Sequence, residues 1–215
     1  MRYLHLLAVL IFTGCSFGIP ANNWQYDSTN AFDAYTKDFL SGKDIIARND
    51  LLRAVKHAKS SADLTQLAKV YLGECALNIS VGIKDRCTKY KNIKDVAGSK
   101  ELDAYYSFLL SDIQQKDIEY LPKRYVDFAS HVNKKEFQEA NDEVLEMDKI
   151  TSVLLSSALL KENIDVKTVE KAISAASFYG YKKAVVFWLH KKQKLLGNTP
   201  EAKKTEKKIL ILKGK

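Results

Sequence analysis

From Asn23 onward, apolar residues recur at spacings of three and four. Strict alternation is almost absent, so the pattern is that of amphipathic helices rather than half-buried strands. Ser28-Thr29 can cap a helix that carries Phe32, Tyr35 and Phe39 on one face and stops at Ser41-Gly42. Asp44 starts a second helix through Ile45, Leu52, Val55 and Ala58. Ser61 or Asp63 caps a third, whose stripe of Leu64, Leu67, Ala68, Tyr71, Leu72 and Cys75 keeps helical spacing throughout. Gly82 punctuates, and a short helix is predicted within 84–91. The one run that could pass for a strand, 79–83, is broken by that glycine.

The second half repeats the theme. Ser99 opens a helix with Leu102, Tyr105, Tyr106, Leu109 and Ile113. Pro122 opens another with Tyr125, Val126, Ala129 and Val132, since a proline fits the first turn of a helix. A long helical stretch is predicted over 135–161. Asp165 caps the next helix through Val169, Ala172, Ile173 and Ala176, and Gly180 closes it. Helices over 181–196 and 200–212 follow. The prediction is an all-α protein of about eight to ten helices. Short connections force consecutive helices into antiparallel hairpins, stacked as a solenoid or gathered into an irregular bundle.

One segment has the marks of a helical repeat: Ala172, Ala176, then Gly180-Tyr181-Lys182-Lys183-Ala184, Phe187-Trp188 and Pro200. It resembles a tetratricopeptide repeat, although Gly180 directly precedes Tyr181, one residue closer than in that family, and the closing proline falls late. The resemblance covers about 35 residues and implies two helices in close approach around small residues, with aromatics filling the next groove.

The start of the chain reads differently. Arg2 precedes an apolar run from Leu6 to Phe12, and the small residues Thr13 and Gly14 follow. A basic start, a short apolar segment and small residues describe a secretory signal peptide, and the run is shorter than the roughly 18–20 apolar residues that a spanning helix needs. Phe12-Thr13-Gly14-Cys15 resembles the bacterial lipobox, with Phe12 where leucine is usual. The resemblance implies cleavage before Cys15, acylation of its thiol and amine, and attachment to the cell envelope. With Ser16 rather than aspartate next, it implies the outer membrane, facing the periplasm. Acyl chains anchor because each buried CH₂ contributes ~0.8 kcal/mol. The expected organisation is a signal peptide (1–14), a lipidated cysteine and tether (15–27), a helical domain (28–197) and a basic C-terminal helix or tail (198–215).

Export changes the reading of the remaining cysteines. Cys75 and Cys87 flank a glycine-containing turn, and in an oxidising compartment that spacing predicts a structural disulfide. A C-x-x-C redox pair is absent, and no histidine stands at ligand spacing, so no metal and no cofactor is expected. His57, His131 and His190 lie far apart in sequence. No nucleophile elbow, phosphate-cradling loop or dinucleotide fingerprint occurs. Glu74, beside Cys75, lacks the glycine-rich surroundings that a lone catalytic glutamate usually shows. The chain is therefore read as a non-enzyme.

Charge adds one more candidate. The chain carries 34 Lys+Arg against 26 Asp+Glu, for a net +8. The stretch 182–215 holds eleven lysines and only two acids, so the positive excess is concentrated at the C-terminus. Lys191, Lys192, Lys194, Lys203, Lys204, Lys207 and Lys208 could bind an anionic surface; a lysine-rich helix is equally a solubilising face. Nucleic acid is not an expected partner, because lysine predominates over base-reading arginine and an exported protein normally meets none. The aromatic residues, among them Tyr105-Tyr106, Phe178-Tyr179 and Phe187-Trp188, are read mostly as core, with some available to line a groove. The function expected is that of a lipid-anchored scaffold or adaptor for other envelope proteins. The alternative is a periplasmic module that binds cell wall, anionic lipid or a small ligand; a cell-wall hydrolase is the third reading.

Overall fold

A computed structural model describes residues 23–214. The chain is all-α there, with no strand among the described residues. Helices α1 (Asn23–Ser41) and α2 (Asp44–Ala58) form a hairpin, reversed at Gly42 with φ of 83°. Helix α3 (Thr65–Ser80) packs on both. Two single-turn helices, α4 (Thr88–Lys91) and α5 (Lys94–Ala97), lead to α6 (Lys100–Leu109). Short 3₁₀ segments at Gln115–Tyr120 and Lys123–Tyr125 precede α7 (Val126–Lys134) and α8 (Phe137–Glu146). Helices α9 (Ile150–Leu159), α10 (Val166–Phe178), α11 (Lys182–Leu196) and α12 (Pro200–Leu212) complete the chain.

From α7 to α12 each helix packs on the next, as a run of hairpins does. That run does not stay open. Helix α3 crosses onto α9 and α1 onto α11, which closes the halves into one core. Trp188, Tyr90 and Phe128 are its largest fully buried side chains. Phe108 packs at a tilt against Tyr125, ring centroids 5.1 Å apart, and meets Phe128 edge-on at 6.1 Å. A satellite cluster of Ala31, Ala54, Ala58, Leu67 and Val70 fills the space between α1, α2 and α3. Ala172, Ala176 and Ala184 are wholly buried around the α10–α11 turn, where small side chains let helices approach.

Several boundaries differ from the predicted ones, each for a physical reason. Helix α1 begins at Asn23, so 23–27 is helix rather than tether. Ser28 does not cap it: its hydroxyl donates to the Ala54 carbonyl of α2, 3.0 Å away, which places Ser28 inside the hairpin contact. The stretch 135–161 is two helices, because Met147 and Lys149 take extended backbone. The Lys171 ammonium of α10 donates to the Leu145 carbonyl and so satisfies the end of α8. The buried face of α2 is Ala47, Asp50, Ala54 and Ala58, while Ile45 and Leu52 point outward. Alanines, not branched residues, permit the close α1–α2 contact. Asp165 caps α10 as expected, accepting from the Thr168 N–H at 2.7 Å. No described helix is long and apolar enough to cross a membrane.

Candidate functional site

Cys75 lies in the last half of α3, buried, and forms a disulfide with Cys87, Cα to Cα 5.3 Å. Gly82, with φ of 75°, turns the chain between them. Asp85 braces the loop, its carboxylate accepting from Asn78 Nδ2 at 2.8 Å and from the Cys87 N–H at 2.7 Å. Gly82 lies against the Phe187 ring, so closely that a β-carbon there would come within 2.1 Å of it. The disulfide loop is thereby seated on α11. Glu74 is held by the Lys89 ammonium at 2.6 Å on the same α3 segment.

Between this loop, α9 and α11 runs an open groove of about 890 Å³. Ile83, Leu110, Ala158, Phe187 and Trp188 contribute apolar lining. Lys84 and Arg86 from the loop, Lys161 after α9 and Lys191 of α11 contribute cations, and none of the four forms an ion pair among the described residues. The two acids on the groove are engaged: Asp85 in bracing the loop, Glu162 near Lys194 at 3.8 Å. Trp188 and Ser157 line the groove, and the indole Nε1 and the hydroxyl are both buried without a hydrogen-bond partner among the described residues. A smaller cavity of about 330 Å³ adjoins it and shares Ser111, Leu159 and Lys161.

The predicted basic cluster divides. Lys192 bridges Glu170 of α10 at 2.6 Å and Glu201 of α12 at 2.7 Å. Those hydrogen bonds raise its pKa, and the Lys192 ammonium lowers that of Glu201. Lys194 faces Glu162, and Lys191 joins the groove. Lys203, Lys204, Lys207 and Lys208 occupy the exposed side of α12, opposite the buried Ala202, Thr205 and Ile209. Cys15 lies outside the described residues.

A second surface forms at one end of the bundle. Phe178 is 85% exposed and Tyr179 53%, at the α10–α11 turn. Tyr179 stacks on Tyr181, whose phenol is raised above its ordinary pKa by burial and by Tyr179 beside it. The α1–α2 turn comes to the same end: Lys183 donates to Asp44 at 2.7 Å and lies 4.0 Å over the Phe39 ring. Ile45 and Ile46, which follow Asp44, are 81% and 51% exposed.

The histidines do not converge: His131 pairs with Glu136 at 2.8 Å and His57 stands 4.0 Å from Asp27. Among the described residues, the one set of three ligating groups close together is Cys75, Asp85 and Cys87, and its two sulfurs are bonded to each other. Sequence reading placed the cations in the C-terminal stretch and missed Lys84, Arg86 and Lys161, as well as Ser157. Their one local signal is the Gly82 turn that delivers the loop to α11. Comparison of the chain with protein-family models, with curated proteins and with solved structures finds no match.

Proposed function

We propose that this chain is exported, cut before Cys15 and lipid-anchored there, and that its helical body serves as a non-catalytic adaptor for other envelope proteins. The observation that carries the adaptor reading is the exposed end bearing Phe178, Tyr179, Ile45 and Ile46. Clustered exposed apolar and aromatic side chains mark protein contact sites, where tyrosine and phenylalanine are favoured anchors. This end lies at the C-terminal end of α1. The nineteen residues of α1, Asn23–Ser41, span about 28 Å at 1.5 Å per residue. We take this end, far along α1 from the proposed anchor, as the face offered to periplasmic partners. The Cys75–Cys87 disulfide supports an oxidising compartment.

Site-specific photo-crosslinking in living cells tests the adaptor reading. A crosslinker at Phe178 or Tyr179 is expected to give discrete protein adducts that vanish with Ile45→Asp, while one at Lys116 gives none. Adducts equal at all three positions, or none at the exposed end, overturn it. The exposed lysines of α12 favour a second reading, binding to cell wall or anionic lipid. Lys→Gln substitution at 203, 204, 207 and 208 tests it better than truncation, because α12 is packed through Ile209. Salt-sensitive co-sedimentation with sacculi, lost in the substituted chain, is its expected sign.

A further inference from the structure

We propose that the groove between the disulfide loop, α9 and α11 binds a single-chain anionic glycerophospholipid. Its volume, about 890 Å³, is at the upper end for small-molecule sites, which are concave, mostly apolar and carry a few polar groups that fix orientation. The polar groups here come in two sets. Lys84, Arg86 and Lys161 are exposed, Lys191 is half-buried, and all four lack carboxylate partners among the described residues. They suit a phosphate, with Arg86 able to meet it in two-pronged fashion. The second set is buried. Trp188 Nε1 can only donate, and the Ser157 hydroxyl donates or accepts; a buried polar atom left unpaired costs ~1–3 kcal/mol. Both atoms are covered in the free protein, so a ligand pairs with them only as the groove wall yields; an ester carbonyl and a glycerol hydroxyl, a few bonds inward from a lysophospholipid's phosphate, would then supply their acceptors.

The apolar lining takes the acyl chain. Ile83 and Phe187 stand on the loop and on α11, and Leu110 and Ala158 on the elements opposite. A free fatty acid offers an anion but no acceptors at a second depth, and a neutral lipid leaves four cations unmatched. The disulfide and the Gly82–Phe187 contact hold the loop against α11, so the groove is formed in the free protein.

The test uses the full chain, purified in non-ionic detergent and carrying Trp24→Phe, so that Trp188 is its one indole. Titration with oleoyl-lysophosphatidylglycerol is expected to change Trp188 emission saturably. Oleoyl-lysophosphatidylcholine and oleate are expected to bind at least tenfold more weakly. Arg86→Ala with Lys191→Ala should weaken the anionic lysolipid at least tenfold, with the melting temperature showing that the fold is retained. Ala158→Phe, which fills the groove, should abolish the signal. Equal affinity for the choline lipid, tighter binding of oleate, a non-saturable response or indifference to the charge substitutions each overturns the proposal.

Discussion

Gly82 concentrates two demands at one residue. Its positive φ disfavours a β-carbon, and the Phe187 ring occupies the space that one would enter. Gly82→Ala should therefore destabilise by more than about 1 kcal/mol, since both strain and clash oppose it. Chemical denaturation of the two chains checks this, and an unchanged midpoint would refute the close packing of the loop on α11. The neighbouring disulfide closes a short loop, which in the chain-entropy view stabilises by ~3 kcal/mol. Paired Cys75→Ser and Cys87→Ser substitution should lower the melting temperature accordingly and loosen residues 79–88, readable as faster amide exchange there. Local chemistry of this kind was legible in the sequence. Asp165 as a cap, Gly42 and Gly180 as turns and Pro200 as a first-turn residue follow from backbone preferences that need no knowledge of the fold. Ser28 misled because its hydroxyl can accept from a helix N–H as a cap or donate to a carbonyl, and the choice of the Ala54 carbonyl depends on where α2 lies.

Among elements, α12 depends on α11 for its place. Its buried side is Ala202, Thr205 and Ile209, and Lys192 ties it to α10 through Glu201 and Glu170. Lys192→Met should loosen the terminal helix, which Ala202, Thr205 and Ile209 still hold, and speed proteolysis near Gly197. The pH dependence has a defined sign. Glu201 is depressed in the fold, so its contribution is present above its ordinary pKa and lost as pH falls through the lowered value. Lys192 is raised, so its contribution persists below the ordinary lysine pKa and is lost only as pH climbs through the raised one. Cleavage near Gly197 should thus accelerate in acid in the wild type and show less acid dependence in Lys192→Met. Helix existence was readable from periodicity, yet the split of α8 from α9 was not. Neither glycine nor proline marks Met147-Asp148-Lys149; the break is stabilised from outside, by Lys171 on the Leu145 carbonyl. Likewise the inner face of α2 is set by how tightly alanines let α1 approach, which outweighs the larger side chains of Ile45 and Leu52.

For the molecule as a whole, buried tyrosines set the alkaline limit. Tyr35, Tyr90, Tyr105 and Tyr125 all have pKa values raised above the ordinary 10.0, chiefly by burial, and in Tyr90 also by its hydrogen bond to Asp103. A raised acid is neutral in the fold and ionised in the unfolded chain, so stability is full below pH 10 and falls as pH rises toward the raised values. The phenolate absorbance of these four should therefore appear in one cooperative step that coincides with loss of helix, rather than as independent titration. The all-α class and the Cys75–Cys87 pairing were legible because each depends on residues near one another in sequence. The groove was not: Lys84, Ser157, Lys161 and Trp188 meet only after α3 crosses onto α9 and the loop reaches α11. Export and lipid anchoring of this bundle, as proposed, are read out by intact-mass spectrometry of the chain, taken from bacterial cells without reduction and treated with a thiol alkylator. The expected chain begins at Cys15, is heavier by its acyl groups and carries no alkyl adduct; a chain that begins at Met1 and carries alkylated cysteines would refute the proposal.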